Sequence, residues 1–198
     1  MLIFVFLGIV SSIFQLTIFR EFTYSLAKNE FSFILGVGIW LIFCSLGSRI
    51  AKNKKTLSLV SLAPLFALVF SLVIGSIHLV KTLVGLAYYE AASLGFVFIA
   101  AFFLIGPVSF LIGYSFCIFS RHYLNKRAFG EKTFGKFFAY EALGFFIGGL
   151  IFTFFLSSYS NPFIFSFLSL VFLLIPDIKP KTKLISSLII IFLSIVFS

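Results

Sequence analysis

Twelve of the fifteen Lys and Arg residues fall in three short loops, and these alternate with loops that carry almost no positive charge. The basic loops hold Arg49, Lys52, Lys54 and Lys55; then Arg121, Lys126, Arg127, Lys132 and Lys136; then Lys179, Lys181 and Lys183. The intervening loops hold only Arg20 and Lys28 in one and Lys81 in another. Between the loops run apolar stretches at 2–19, 31–48, 57–80, 91–120, 137–158, 162–175 and 184–198. A membrane-spanning helix needs roughly 20 apolar residues at about 1.5 Å each, and most of these stretches approach that length. The pattern predicts an all-α, polytopic transmembrane helix bundle of about seven spans, forming one integral membrane domain. Basic loops stay on the cytoplasmic side, so the N-terminus is expected there and the end of a seven-span chain outside.

Composition excludes the alternatives. The chain is 61% apolar and 11% charged, with a mean hydropathy of +1.20. A soluble domain of this length cannot hide that much apolar surface. A net charge of +9 would suggest nucleic acid in a soluble protein. Here the cations flank apolar spans, so their expected partners are anionic lipid headgroups and no nucleic acid. Segment 2–19 lacks a basic leader and a small-residue cleavage site, and is read as a retained anchor. The expected location is the cell membrane, of the bacterial or archaeal inner-membrane kind. Cys44 and Cys117 lie inside apolar runs, which argues against a disulfide or a zinc site.

Polar groups inside spans are costly, so each is a candidate site. Glu141 opens the fifth span in Tyr140-Glu141-Ala142-Leu143-Gly144, followed by Gly148-Gly149. At helical spacing Glu141, Gly144 and Gly148 share a face, and Gly144 and Gly148 form a step that admits a close neighbouring backbone. Glu141 is then either an acid near a helix start with Arg49 or Arg121 beside it, or a substrate or proton site. Gly8, Ser12 and Gln15 form a similar stripe in the first span. Arg20 and Glu21 mark its outer boundary, as an interfacial pair or a docking point, with Glu30 in the same loop. Gly38 and Gly47 read as packing positions of the second span. Gly106-Pro107 predicts a kink in the fourth, either a simple bend or a break whose freed carbonyls line a cavity.

No phosphate-binding loop, GxSxG elbow, HExxH pair or metal-spaced cluster occurs, and six acidic residues leave little for acid–base chemistry. No cofactor or metal is implied. Gln15 with Arg20-Glu21, Glu30, Leu46-Gly47-Ser48, Gly106-Pro107 and above all Tyr140 through Gly149 resemble the membrane domain of the spermidine-synthase-like membrane proteins. In that family, a multi-span domain likened to half of a major-facilitator transporter usually precedes a soluble aminopropyltransferase-like domain, which is absent here. The resemblance implies that any aminopropyl or methyl transfer belongs to a separate polypeptide, or that the activity has been lost. The expected function is a non-catalytic membrane module that anchors or assists a partner protein. The alternative is a small-solute carrier working as a dimer, and a lipid- or polyamine-directed enzyme ranks third.

Overall fold

The structure is a computed structural model and describes residues 2–27, 30–53, 65, 68–70, 72–77, 79–80, 92–127, 131–158, 184 and 188. Every regular element among them is helical. Helix α1 spans Leu2–Phe22 and runs on through a π-helical turn, Thr23–Ala27; α2 spans Glu30–Asn53. A short apolar helix, α3, covers Leu68–Ile77. Helix α4 spans Leu94–Arg127, and α5 spans Glu131–Ile151 and ends in a second π-helical turn, Phe152–Leu156.

Four of these helices are long and apolar enough to cross a membrane: Leu2–Leu26, Glu30–Lys52, Leu94–His122 and Gly135–Leu156. The chain is therefore a helical membrane protein. Helix is the form expected there, because an α-helix satisfies its own backbone groups where lipid offers no partner. The expected stretches 162–175 and 184–198 lie outside the described residues except for Leu184 and Leu188. Span ends differ from expectation because hydrocarbon thickness limits the apolar stretch and not the helix. Helix α1 continues past Arg20 and Glu21, which were expected in a loop, and Glu21 is buried at 8% exposure. Acidic Glu30 opens α2, where the positive end of the helix dipole favours it.

The helices pack as two parallel pairs. On α1 and α5, Phe4 stacks on Phe137, Ile9 lies at Gly148 and Arg20 reaches Ser157, so both chains run the same way. On α2 and α4, Phe43 meets Gly106, Ser48 meets Gly113 and Lys52 meets Arg121, again in parallel. Between the pairs the direction reverses: Phe4 near the start of α1 touches Phe116 late in α4, while Leu26 O accepts a hydrogen bond from Ala92 N. Helix α3 falls in the connection between α2 and α4. Phe70 of α3 packs on Phe14 of α1, 4.0 Å between ring centroids, inside that connection.

Candidate functional site

The small residues set the distance between paired helices. A Cβ added at Gly8 would collide with the Glu141 carbonyl oxygen and lie 2.7 Å from Phe145 N. One at Gly144 would collide with the Val5 carbonyl oxygen, and one at Gly148 would lie 2.7 Å from the Ile9 carbonyl oxygen. Gly149 is looser: a Cβ added there would lie 3.7 Å from Ser12 Oγ. In the other pair, Gly47 abuts the Phe110 carbonyl and Gly113 the Cys44 carbonyl, while a Cβ added at Gly106 would lie 2.9 Å from the Phe43 ring. Backbones this close exclude any side chain and allow weak Cα–H···O contacts. Gly38 departs from expectation: it is exposed, with nothing within 4 Å, and Gly36 is the buried glycine of that turn. The stripe on α2 that meets α4 runs through Cys44, Gly47 and Ser48, a face that does not include position 38.

Hydrogen bonds reinforce the α2–α4 contact. Cys44 Sγ donates to Ser109 O at 3.1 Å and Ser48 Oγ donates to Gly113 O at 3.0 Å. Both cysteines are free thiols. Pro107 does not break α4, which runs unbroken from Leu94 to Arg127. Its missing N–H frees the carbonyl of Phe103, a residue 68% exposed on the outer surface, and Ser109 Oγ bonds back to Ile105 O and Gly106 O. A break lining an inner cavity at Gly106-Pro107 is therefore not what this helix forms.

Each pair is closed at one end by an arginine. Arg20 donates through Nε and Nη2 to Glu21 Oε1 at 3.1 and 2.9 Å, and through Nη1 to Ser157 O at 3.2 Å. Its guanidinium also lies 5.9 Å from the Phe152 ring centroid. Ser157 O is one of the carbonyls that the end of α5 leaves without an intrahelical donor, and a cation there also meets the negative end of the dipole. Arg121 Nη1 does the same for α2, donating to Ala51 O at 3.0 Å and Lys52 O at 2.8 Å. This brings two of the basic loops, at Lys52 and Arg121, to one end of the bundle, with Arg20 and Ser157 at the other.

The remaining candidates are spread out. Gln15 and Tyr140 are half-buried, Glu30 is exposed, and Glu141 is half-buried among apolar neighbours. Neither Arg49 nor Arg121 pairs with Glu141, contrary to the ion pair considered from the sequence; the one ion pair among the described residues is Arg20–Glu21. Among those residues no three His, Cys, Asp or Glu side chains converge on a metal-sized site.

One relation escaped the sequence reading. An offset of 101 residues carries Arg20 to Arg121, Glu30 to Glu131, Gly47 to Gly148 and Ile50 to Ile151. The same offset carries the contacts of one pair onto the other. Gly148 on Ile9 becomes Gly47 on Phe110, Gly144 on Val5 becomes Phe43 on Gly106, and Gly8 on Phe145 becomes Ser109 on Cys44. The helix capped also swaps: α1 caps α5, and α4 caps α2. With α1 and α4 running in opposite directions, the two halves are an inverted repeat. Compared with known proteins, the chain matches no family model, no curated protein and no solved structure.

Proposed function

We infer that this chain is one half of a small-solute carrier that works as a homodimer. The observation behind the reading is the inverted repeat, in register over the contacts of both helix pairs, with Arg20 and Arg121 at matching positions, each capping the end of its partner helix. Two related halves of opposite polarity have nearly equal energies facing either side, which is what alternating access requires. Solute and coupling-ion sites in such folds lie at the junction of the repeats. Gln15 is the register equivalent of Phe116, which touches Phe4 and Phe138 of the other pair, so it stands at that junction. The basic loops set the expected orientation, with Lys52 and Arg121 in the cytoplasm.

Access tests the reading without knowing the solute. In a chain with Cys44→Ser and Cys117→Ala, Gln15→Cys is exposed to a membrane-impermeant maleimide in sealed vesicles of each orientation. A carrier takes label from both sides. Label from neither side, or from one side only, defeats the proposal.

A second reading, a non-catalytic module holding a partner such as a separate aminopropyltransferase-like subunit, is favoured by the outward faces of α2 and α5. These present Phe33, Ile34, Leu41 and Ile42, and Phe146, Leu150 and Phe154. Purification in a mild detergent as a chain with no stoichiometric subunit counts against it.

A further inference from the structure

We propose that Glu141 is a reversible proton-binding site within the membrane, exchanging with the end of the bundle that carries Lys52 and Arg121. Its Cα lies six residues inside the apolar stretch that starts at Gly135, about 9 Å along the axis. No hydrogen bond or ion pair reaches its carboxyl from the described residues. The groups packed around it supply no counter-charge. From α1, Gly8 lies against its backbone carbonyl, and Val5, Ile9 and Ser12 line the following turns of α5 at Gly144, Gly148 and Gly149. From α2 comes Cys44, within electrostatic reach, whose thiol hydrogen is directed to Ser109 O. On α4, Arg121 is turned toward the α2 carbonyls, and His122 follows it in the chain. On α5 itself, Tyr140 is adjacent and Lys136 is exposed.

An ionised carboxyl without donors or counter-ion is the costly state in such surroundings, whereas the neutral acid needs no partner of opposite charge. Half-exposure and a short distance to the bundle end give the proton a route to water. Gly8 lies against the Glu141 backbone carbonyl, so this residue sits at a close backbone contact of the α1–α5 pair. Protonation adds one proton to the carboxylate and removes one charge from the apolar span; no other reactant takes part. The inference does not depend on the carrier reading, since a proton can bind here whether or not a solute crosses.

Dicyclohexylcarbodiimide tests it on the full chain in sealed membrane vesicles. This apolar reagent adds to protonated carboxylic acids: the acid proton moves to its nitrogen, the carboxyl oxygen bonds its central carbon, and an acyl shift gives a stable N-acylurea. Peptide mass spectrometry should find the adduct on Glu141. Labelling should fall about tenfold per pH unit once the site is mostly ionised, following the pH on the Lys52–Arg121 side. Glu30→Gln should leave the adduct in place and Glu141→Gln should abolish it; if Glu141→Gln does not fold, mapping in the unaltered chain decides. An unlabelled Glu141 in a recovered peptide overturns the proposal. So does labelling that ignores pH or follows the opposite side.

Discussion

Replacing Gly144 by alanine tests the packing of α1 on α5 most directly. The new methyl would collide with the Val5 carbonyl oxygen and lie 2.7 Å from its carbon and 2.8 Å from its Cα. Carbon atoms settle at about 3.5–4.0 Å, so the helices must separate by roughly 1 Å at this point. Both sides of the contact are backbone, so no rotamer change relieves it. Forcing a methylene into such a site typically costs about 1–3 kcal/mol. Alanine also gains up to about 1 kcal/mol of helix propensity over glycine, which blurs the absolute value. Gly38→Ala supplies the correction, because position 38 has nothing within 4 Å and takes the propensity gain alone. The difference between the two variants, read from reversible unfolding in mixed detergent micelles followed by circular dichroism, should be about 1–3 kcal/mol against Gly144→Ala. Agreement of the two variants within about 0.5 kcal/mol would refute the packing argument.

Gly113→Ala, whose methyl would collide with Cys44 in the other pair, should cost a similar amount and add to Gly144→Ala in the double variant within about 0.5 kcal/mol. Arg20→Ala should uncap α5 at a cost of about 1 kcal/mol, seen as faster hydrogen exchange confined to residues 152–157, and Arg121→Ala should loosen the end of α2 in the same way. Pro107→Ala should leave the fold intact and raise stability, because it restores an N–H opposite the Phe103 carbonyl on an exposed face; a loss in the same unfolding assay would contradict the account of an unbroken α4. Single cysteines at Lys52 and His122 should label from one side of the membrane and one at Tyr24 from the other.

Much of this was legible because cost in lipid is local. Apolar length announced the spans, and small-residue steps at Gly8, Gly144 and Gly148 announced a close helix contact. Gly38 misled because a glycine facing outward and one facing a helix look alike along a chain; only Cys44 and Ser48, with their neighbours on α4, show which face is covered. The capping roles of Arg20 and Arg121 were hidden for a different reason. Each serves the end of a helix distant in sequence, so its partner depends on tertiary packing. The internal correspondence was within reach, since Arg20 and Arg121, Glu30 and Glu131, and Gly47 and Gly148 keep one spacing. Between those anchors most positions differ, Gln15 facing Phe116 and Trp40 facing Glu141 across the offset, so only the helix contacts bring the correspondence out.

The parallel pairing also dictates an order of events during synthesis. Neighbouring hairpins cannot satisfy each other: the groove at Gly8 must wait for Gly144 to emerge, and the one at Gly47 must wait for Phe110 and Gly113. Early helices therefore spend much of translation as inserted but unassembled rods, their notches filled by acyl chains. Assembly of each pair is then a late step of synthesis, and a chain ending before α5 leaves the α1 groove at Gly8 without its partner helix.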